Sequence, residues 1–160
     1  MLAAMLTGVT LGCGTAVQLA VPHLARMTGG HHNALGAWWF ALGAAVLSVD
    51  AEHPSLLVTI VAAGTLGCAF GVNLVAGLTD VQRSAHPGNL ATLTGIYYAV
   101  AYAGFALPVV MSELEGLAPL WVQLLGLSGL SALTAIYLSV ARRRLRSHRQ
   151  AVTERPAVSI

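Results

Sequence analysis

The chain has 160 residues, 56% of them hydrophobic and only 9% charged, where soluble domains carry roughly 25% charge. That is too little charge to cover a water-facing surface, and a mean hydropathy of +0.74 excludes an ordinary soluble domain. Six of the eight basic residues lie after position 141, so the net charge of +2 describes a tail and implies no nucleic-acid partner.

Five uncharged apolar segments follow in order, at about 1–22, 33–49, 55–79, 89–112 and 116–141. They predict an all-α polytopic membrane protein with five transmembrane helices, its first partner being the lipid bilayer. A span needs about 20 apolar residues to cross roughly 30 Å of hydrocarbon, which four of the segments supply outright. The second is short, with Trp38 and Trp39 near its start as interfacial anchors. No period-2 alternation occurs, so a membrane β-barrel is excluded. The first segment lacks a positively charged leader and a small-residue cleavage site, and reads as a span rather than a secretory signal. Pro108, late in the fourth, predicts a kink or a closed last turn. Residues 142–160 form a polar, basic tail with Pro156, expected to be disordered, with Arg142, Arg143 and Arg144 anchoring it to anionic lipid.

Orientation follows from the arginines, because basic residues of short loops stay cytoplasmic. Arg26 lies in the first loop, Arg83 in the third and six arginines in the tail, while the second and fourth loops carry none. This predicts a plasma-membrane protein with its C-terminus cytoplasmic and its N-terminus outside, where Asp50, Glu52, Glu113 and Glu115 also fall. An uncharged outer N-terminus starting directly in a helix suggests further helices upstream.

Little in the chain offers chemistry. Cys13 and Cys68 lie deep in apolar segments with no CxxC or zinc spacing, so neither a disulfide nor a metal site is expected. His31 and His32 are adjacent, diverge by about 100° on a helix and have no carboxylate or Cys near in sequence. The other histidines sit in loops or the tail, which argues against haem. No GxSxG, HExxH or Walker A motif is present, so no enzyme and no cofactor is expected.

Within the spans, small residues recur at Gly8 and Gly12, Gly67 and Gly71, and Gly126 and Gly129 with Ser128. In lipid such residues let helix backbones approach closely, so these are expected packing seams. No Asp, Glu, Arg or His lies at mid-depth, which argues against a proton relay carried by this chain alone. The polar residues at depth are Gln18, Asn73, Gln123, Tyr97, Tyr98 and Tyr102. Tyr98 and Tyr102 share a helix face, being four apart, and with Asn73 they are the candidates for lining a polar cavity.

The residue 64–110 stretch, GTLGCAFGVNLVAGLTDVQRSAHPGNLATLTGIYYAVAYAGFALPVV, resembles the tenth helix, cytoplasmic loop and eleventh helix of a major facilitator superfamily transporter. The first loop, LARMTGGHHNALG, resembles the degenerate second-half copy of that family's loop motif. The resemblance covers nearly the whole chain and implies the last five helices of such a transporter. It implies part of a secondary active transporter that moves a small molecule by alternating access, with the N-terminal transporter helices as missing partners. In that fold each six-helix half contains 3+3 inverted repeats around a midplane site. The alternative is a small non-transporting five-helix scaffold or interaction subunit whose seams bind a partner.

Overall fold

The computed structural model describes the backbone of residues 1–27, 32–86 and 88–153; the side chains of 22, 24–27, 32, 33 and 142–153 fall outside that description. Residues 28–31 of the first-loop motif, His31 among them, the side chains of Arg26 and His32, the arginine side chains of the tail, and Pro156 therefore lie outside the described residues. The helices are α1 (Leu2–Met27), α2 (His32–Glu52), α3 (Leu56–Ser84), α4 (Leu90–Ala103), α5 (Leu107–Glu113) and α6 (Leu120–Thr153), with 3-10 turns at Gly104–Ala106 and Leu114–Gly116. No strand occurs among the described residues. Five helical stretches, Leu2–Val21, Ala34–Glu52, Leu56–Ser84, Leu90–Gly116 and Leu120–Ala141, are long and apolar enough to cross a membrane. The protein is an all-α, polytopic membrane protein, as a solvent without hydrogen-bonding partners demands: every spanning N–H and C=O must pair within its own helix.

The helices outrun their apolar segments. α2 continues through Asp50 to Glu52, and α3 continues to Ser84. α6 stays helical to Thr153, where the sequence suggested a disordered tail from residue 142. The reason is local, since residues 142–153 are rich in Arg, with Leu, Gln and Ala, and contain neither Gly nor Pro. These are good helix formers, and nothing among them stops a helix already propagating.

The fourth span tightens into a 3-10 turn part-way along, and Pro108 sets where. Proline has no N–H to give the carbonyl four residues back, which is that of Gly104. The N–H of Leu107 bonds the Gly104 carbonyl instead, closing a 3-10 turn, and α5 restarts with Pro108 in its first turn, where no N–H is needed. α4 packs on α3, whereas α5 touches α6.

α3 is the centre of the bundle and packs extensively against both α1 and α2, while α6 packs on the other side of α2. Each seam on α3 is made through glycine. A Cβ at Gly67 would run into the Thr10 carbonyl, 2.9 Å from its carbon, and one at Gly71 would lie 3.0 Å from the Gly14 carbonyl carbon. These contacts run in register along two parallel helices. On the other side, a Cβ at Gly43 would come 2.8 Å from Leu66 Cδ2, and one at Gly36 2.7 Å from Asn73 Cγ. Gly77 meets α4, with Tyr97 Oη 2.7 Å from where its Cβ would stand.

The seam between α2 and α6 is built differently. Ala34, Ala37, Ala41, Ala44 and Ser48 of α2 are all buried, spaced alternately three and four apart on one face. Serines bridge it: Ser131 Oγ donates to the Ala37 carbonyl at 2.8 Å, Ser128 Oγ to that of Ala41 at 2.7 Å and Ser48 Oγ to that of Trp121 at 3.2 Å. Gly126 and Gly129, expected in a seam, face open space instead: nothing lies within 4 Å of where a Cβ would stand, and the same holds for Gly8 and Gly12.

Leucine at Gly67 or Gly71 should therefore separate α1 from α3 and destabilise the detergent-solubilised protein by about 1–3 kcal/mol, the range for overpacking a tight site. Leucine at Gly8 or Gly12 should leave it unchanged. Thermal melts of the four variants check the contrast.

Candidate functional site

Asn73, Tyr98 and Tyr102 are the residues the sequence offers for a polar cavity, and the structure places them on two neighbouring helices. Asn73 sits on α3 with its amide over Gly36 of α2 and is partly exposed. The missing side chain at Gly36 makes the space that the amide fills. Its main-chain carbonyl accepts a bond from Tyr97 Oη at 3.2 Å; the Leu74 carbonyl accepts from the same hydroxyl at 3.0 Å.

Tyr97 is thus the tyrosine that reaches α3. A sequence reading based on the four-residue spacing of Tyr98 and Tyr102 passes over it, although the signal was present in Gly77. A glycine opposite a tyrosine on the next helix leaves room for the ring to lie against backbone. Phenolic hydroxyls seek a partner when buried, and in a lipid environment a main-chain carbonyl is the partner at hand.

Tyr98 and Tyr102 form a row along α4 instead. Tyr98 meets Tyr97 edge-on at 5.7 Å between ring centroids, stacks on Tyr102 at 6.2 Å, and Tyr102 stacks on Phe105 at 6.0 Å. Phe70 of α3 closes the row against Phe105 at 6.4 Å. These separations fall within the range for favourable aromatic pairs. The row is open on one side: Tyr102 and Phe105 are each 65% exposed, and no residue of α4 or α5 is buried. The three candidates are therefore near one another but not joined, with Tyr97 and the Phe70–Phe105 pair between the two helices.

Several other polar side chains at depth bond to backbone. Thr7, Thr10, Thr15, Thr65 and Thr79 each donate to the carbonyl four residues earlier, which satisfies the hydroxyl inside its own helix. Gln123 Nε2 donates to the Ala118 carbonyl at 2.9 Å, serving the start of α6 rather than a cavity, and its buried Oε1 has no partner among the described residues. Cys13 and Cys68 are both free thiols. No group of three or more His, Cys, Asp and Glu side chains arranged for a metal occurs among the described residues.

Sequence reasoning also passes over Asp50. It is expected just past the second span, on the outer face, yet it lies inside α2 and is only 9% exposed. Its carboxylate accepts the Ser55 N–H at 2.9 Å and the Thr59 hydroxyl at 2.6 Å. Ser55 occupies the N-cap position of α3 but makes no side-chain cap bond of its own, so Asp50 supplies the anion that the helix start favours. The spacing of Asp50 to Ser55 across a short turn was the available signal.

Replacing Tyr97 by Phe removes the hydroxyl bond between α4 and α3 and should cost about 0.6–1.7 kcal/mol, the range for interhelical bonds in membranes. Tyr102→Phe should cost nothing measurable, and comparison of their melting curves checks the assignment.

No known protein family, characterised protein or solved structure matches the chain, so the placement of its residues carries the functional reading.

Proposed function

We propose that the chain is part of a secondary active transporter that moves a small molecule by alternating access, as its resemblance to the major facilitator superfamily implies. The observation that carries this reading is the fourth span. α4 leans on α3 chiefly through Tyr97 and Gly77, the helix tightens into a 3-10 turn at Gly104–Ala106, and much of its remaining surface is open, with Tyr98 half-buried and Tyr102 and Phe105 exposed. A surface carrying tyrosine hydroxyls suits a path shared with further helices better than it suits lipid tails. Tyr98, Tyr102 and the exposed part of Asn73 are the side chains assigned to that path. The companion helices come from outside this sequence, and the protein resides in the plasma membrane with the N-terminus outside and the C-terminus in the cytoplasm.

The second reading is a small five-helix scaffold without transport. It draws on Gly8 and Gly12 of α1, which meet nothing and offer a close-approach seam to another membrane helix.

Two measurements test the proposal. A membrane-impermeant maleimide applied to intact cells should label Glu52→Cys and not Arg146→Cys; labelling at 146 overturns the orientation. In cells expressing the chain with its upstream reading frame, Asn73, Tyr98 and Tyr102 replaced singly by Cys should react with a water-soluble thiol reagent, and Val100→Cys should not. Asn73→Ala should lower transport while expression holds. An unreactive Cys at all three positions, with transport intact in the Ala variant, overturns the site; no transport by the extended protein favours the scaffold.

A further inference from the structure

A cleft of about 390 Å³ opens where the end of α2, the length of α5 and the start of α6 meet. Leu47 and Asp50 of α2, Leu107 and Met111 of α5, Glu115 of the following turn and Leu124 of α6 line it. We propose that this cleft binds a small organic cation with an apolar body, held by Asp50 and Glu115 as counter-charges and by the surrounding aliphatic wall.

The charge distribution picks out this class of ligand. Four of the six acidic residues, Asp50, Glu52, Glu113 and Glu115, fall in the two segments that form this end of the bundle, and the eight arginines all lie elsewhere, at positions 26, 83 and from 142 onward. Neither Asp50 nor Glu115 makes an ion pair among the described residues. The two bonds that Asp50 accepts come from neutral donors, a backbone N–H and a threonine hydroxyl, so beyond the partial positive charge at the start of α3 it has no full counter-charge among the described residues, although only 9% of the residue is exposed. A buried charge without a counter-charge is costly, and a cation entering beside it gains interaction that water would otherwise screen. Anions meet two carboxylates there and are repelled.

The wall supplies the rest. Leu47, Leu107 and Leu124 present branched aliphatic surface, and Met111 is a flexible, polarisable side chain that adapts to irregular shapes. The volume falls within the usual range for small-molecule sites, roughly 300–1,000 Å³, in which an apolar lining with few polar groups fixes one orientation. Both carboxylates belong to the lining of the cleft, Glu115 exposed and Asp50 buried, with the side chains of α5 beside them for the apolar body. This site stands apart from Tyr98 and Tyr102, and its occupancy does not depend on whether the chain transports anything.

Calorimetric titration of the purified 160-residue chain in maltoside micelles tests the proposal, with benzyltrimethylammonium as the probe. Phosphocholine detergents are avoided because their headgroup is itself a quaternary ammonium. Saturable binding of one equivalent is expected, with none for phenylmethanesulfonate, which has the same ring and the opposite charge. Glu115→Gln should weaken binding about tenfold, and Ala51→Phe, which fills the cleft from an exposed position, should abolish it with no change in melting temperature. Glu52→Gln and Glu113→Gln remove the same charge from the same end without lining the cleft, and should leave affinity within about twofold. Equal binding of the sulfonate, absence of saturation, or an equal loss in Glu113→Gln and Glu115→Gln would overturn the site, the last by showing a diffuse surface field.

Discussion

The bundle depends on how closely α3 can be approached. Lipid tails are as apolar as leucine, so burying one apolar helix face against another gains little, and association rests on packing and on bonds between helices. Glycines make that approach possible on three sides of one helix. Gly67 and Gly71 admit the carbonyls of Thr10 and Gly14 from α1, Gly36 and Gly43 on α2 admit Asn73 and Leu66 from α3, and Gly77 admits the ring of Tyr97 from α4. Remove the approach at any of them and a neighbour must move by the width of a side chain. α6 joins one layer further out, through the alanine face of α2 and its serine bridges.

The same constraint decides what polar residues do. With no water at depth, a hydroxyl turns to the nearest carbonyl. The threonines bond within their own helices, while Ser128, Ser131 and Tyr97 bond across to neighbours. Polar groups that look in sequence like candidates for a cavity are thereby drawn into structure. Tyr102 differs from them because it lies on a helix whose outer face no described element covers.

How much of this was legible beforehand follows from what periodicity can and cannot say. Span positions are set by hydropathy, and all five apolar segments became helices. Which face of a helix is a seam depends on its neighbours. Gly67 and Gly71 lie in one, whereas Gly8 and Gly12, with the same four-residue spacing, face open space. The alanine face of α2 shows in sequence as small residues at alternating three and four spacing, a weaker pattern than a glycine pair. Asp50 reads in sequence as lying just past its span because charge usually marks the end of one; here the helix continues past it and folds its carboxylate back onto α3. The helical stretch beyond residue 141 was hidden by its charge, although its residues favour helix as strongly as the apolar ones before it.

The 3-10 turn in the fourth span ties these features together. Because Pro108 cannot serve the Gly104 carbonyl, the span tightens there, and each half keeps a different neighbour: α4 stays with α3, and α5 turns to α6. A straight helix would have to choose one of those partners along its whole length. Changing partners at Gly104–Ala106 leaves the aromatic row on one side of the turn and opens the cleft beside Asp50 and Glu115 on the other. One missing N–H thus sets both the surface offered to other helices and the shape of the acidic end.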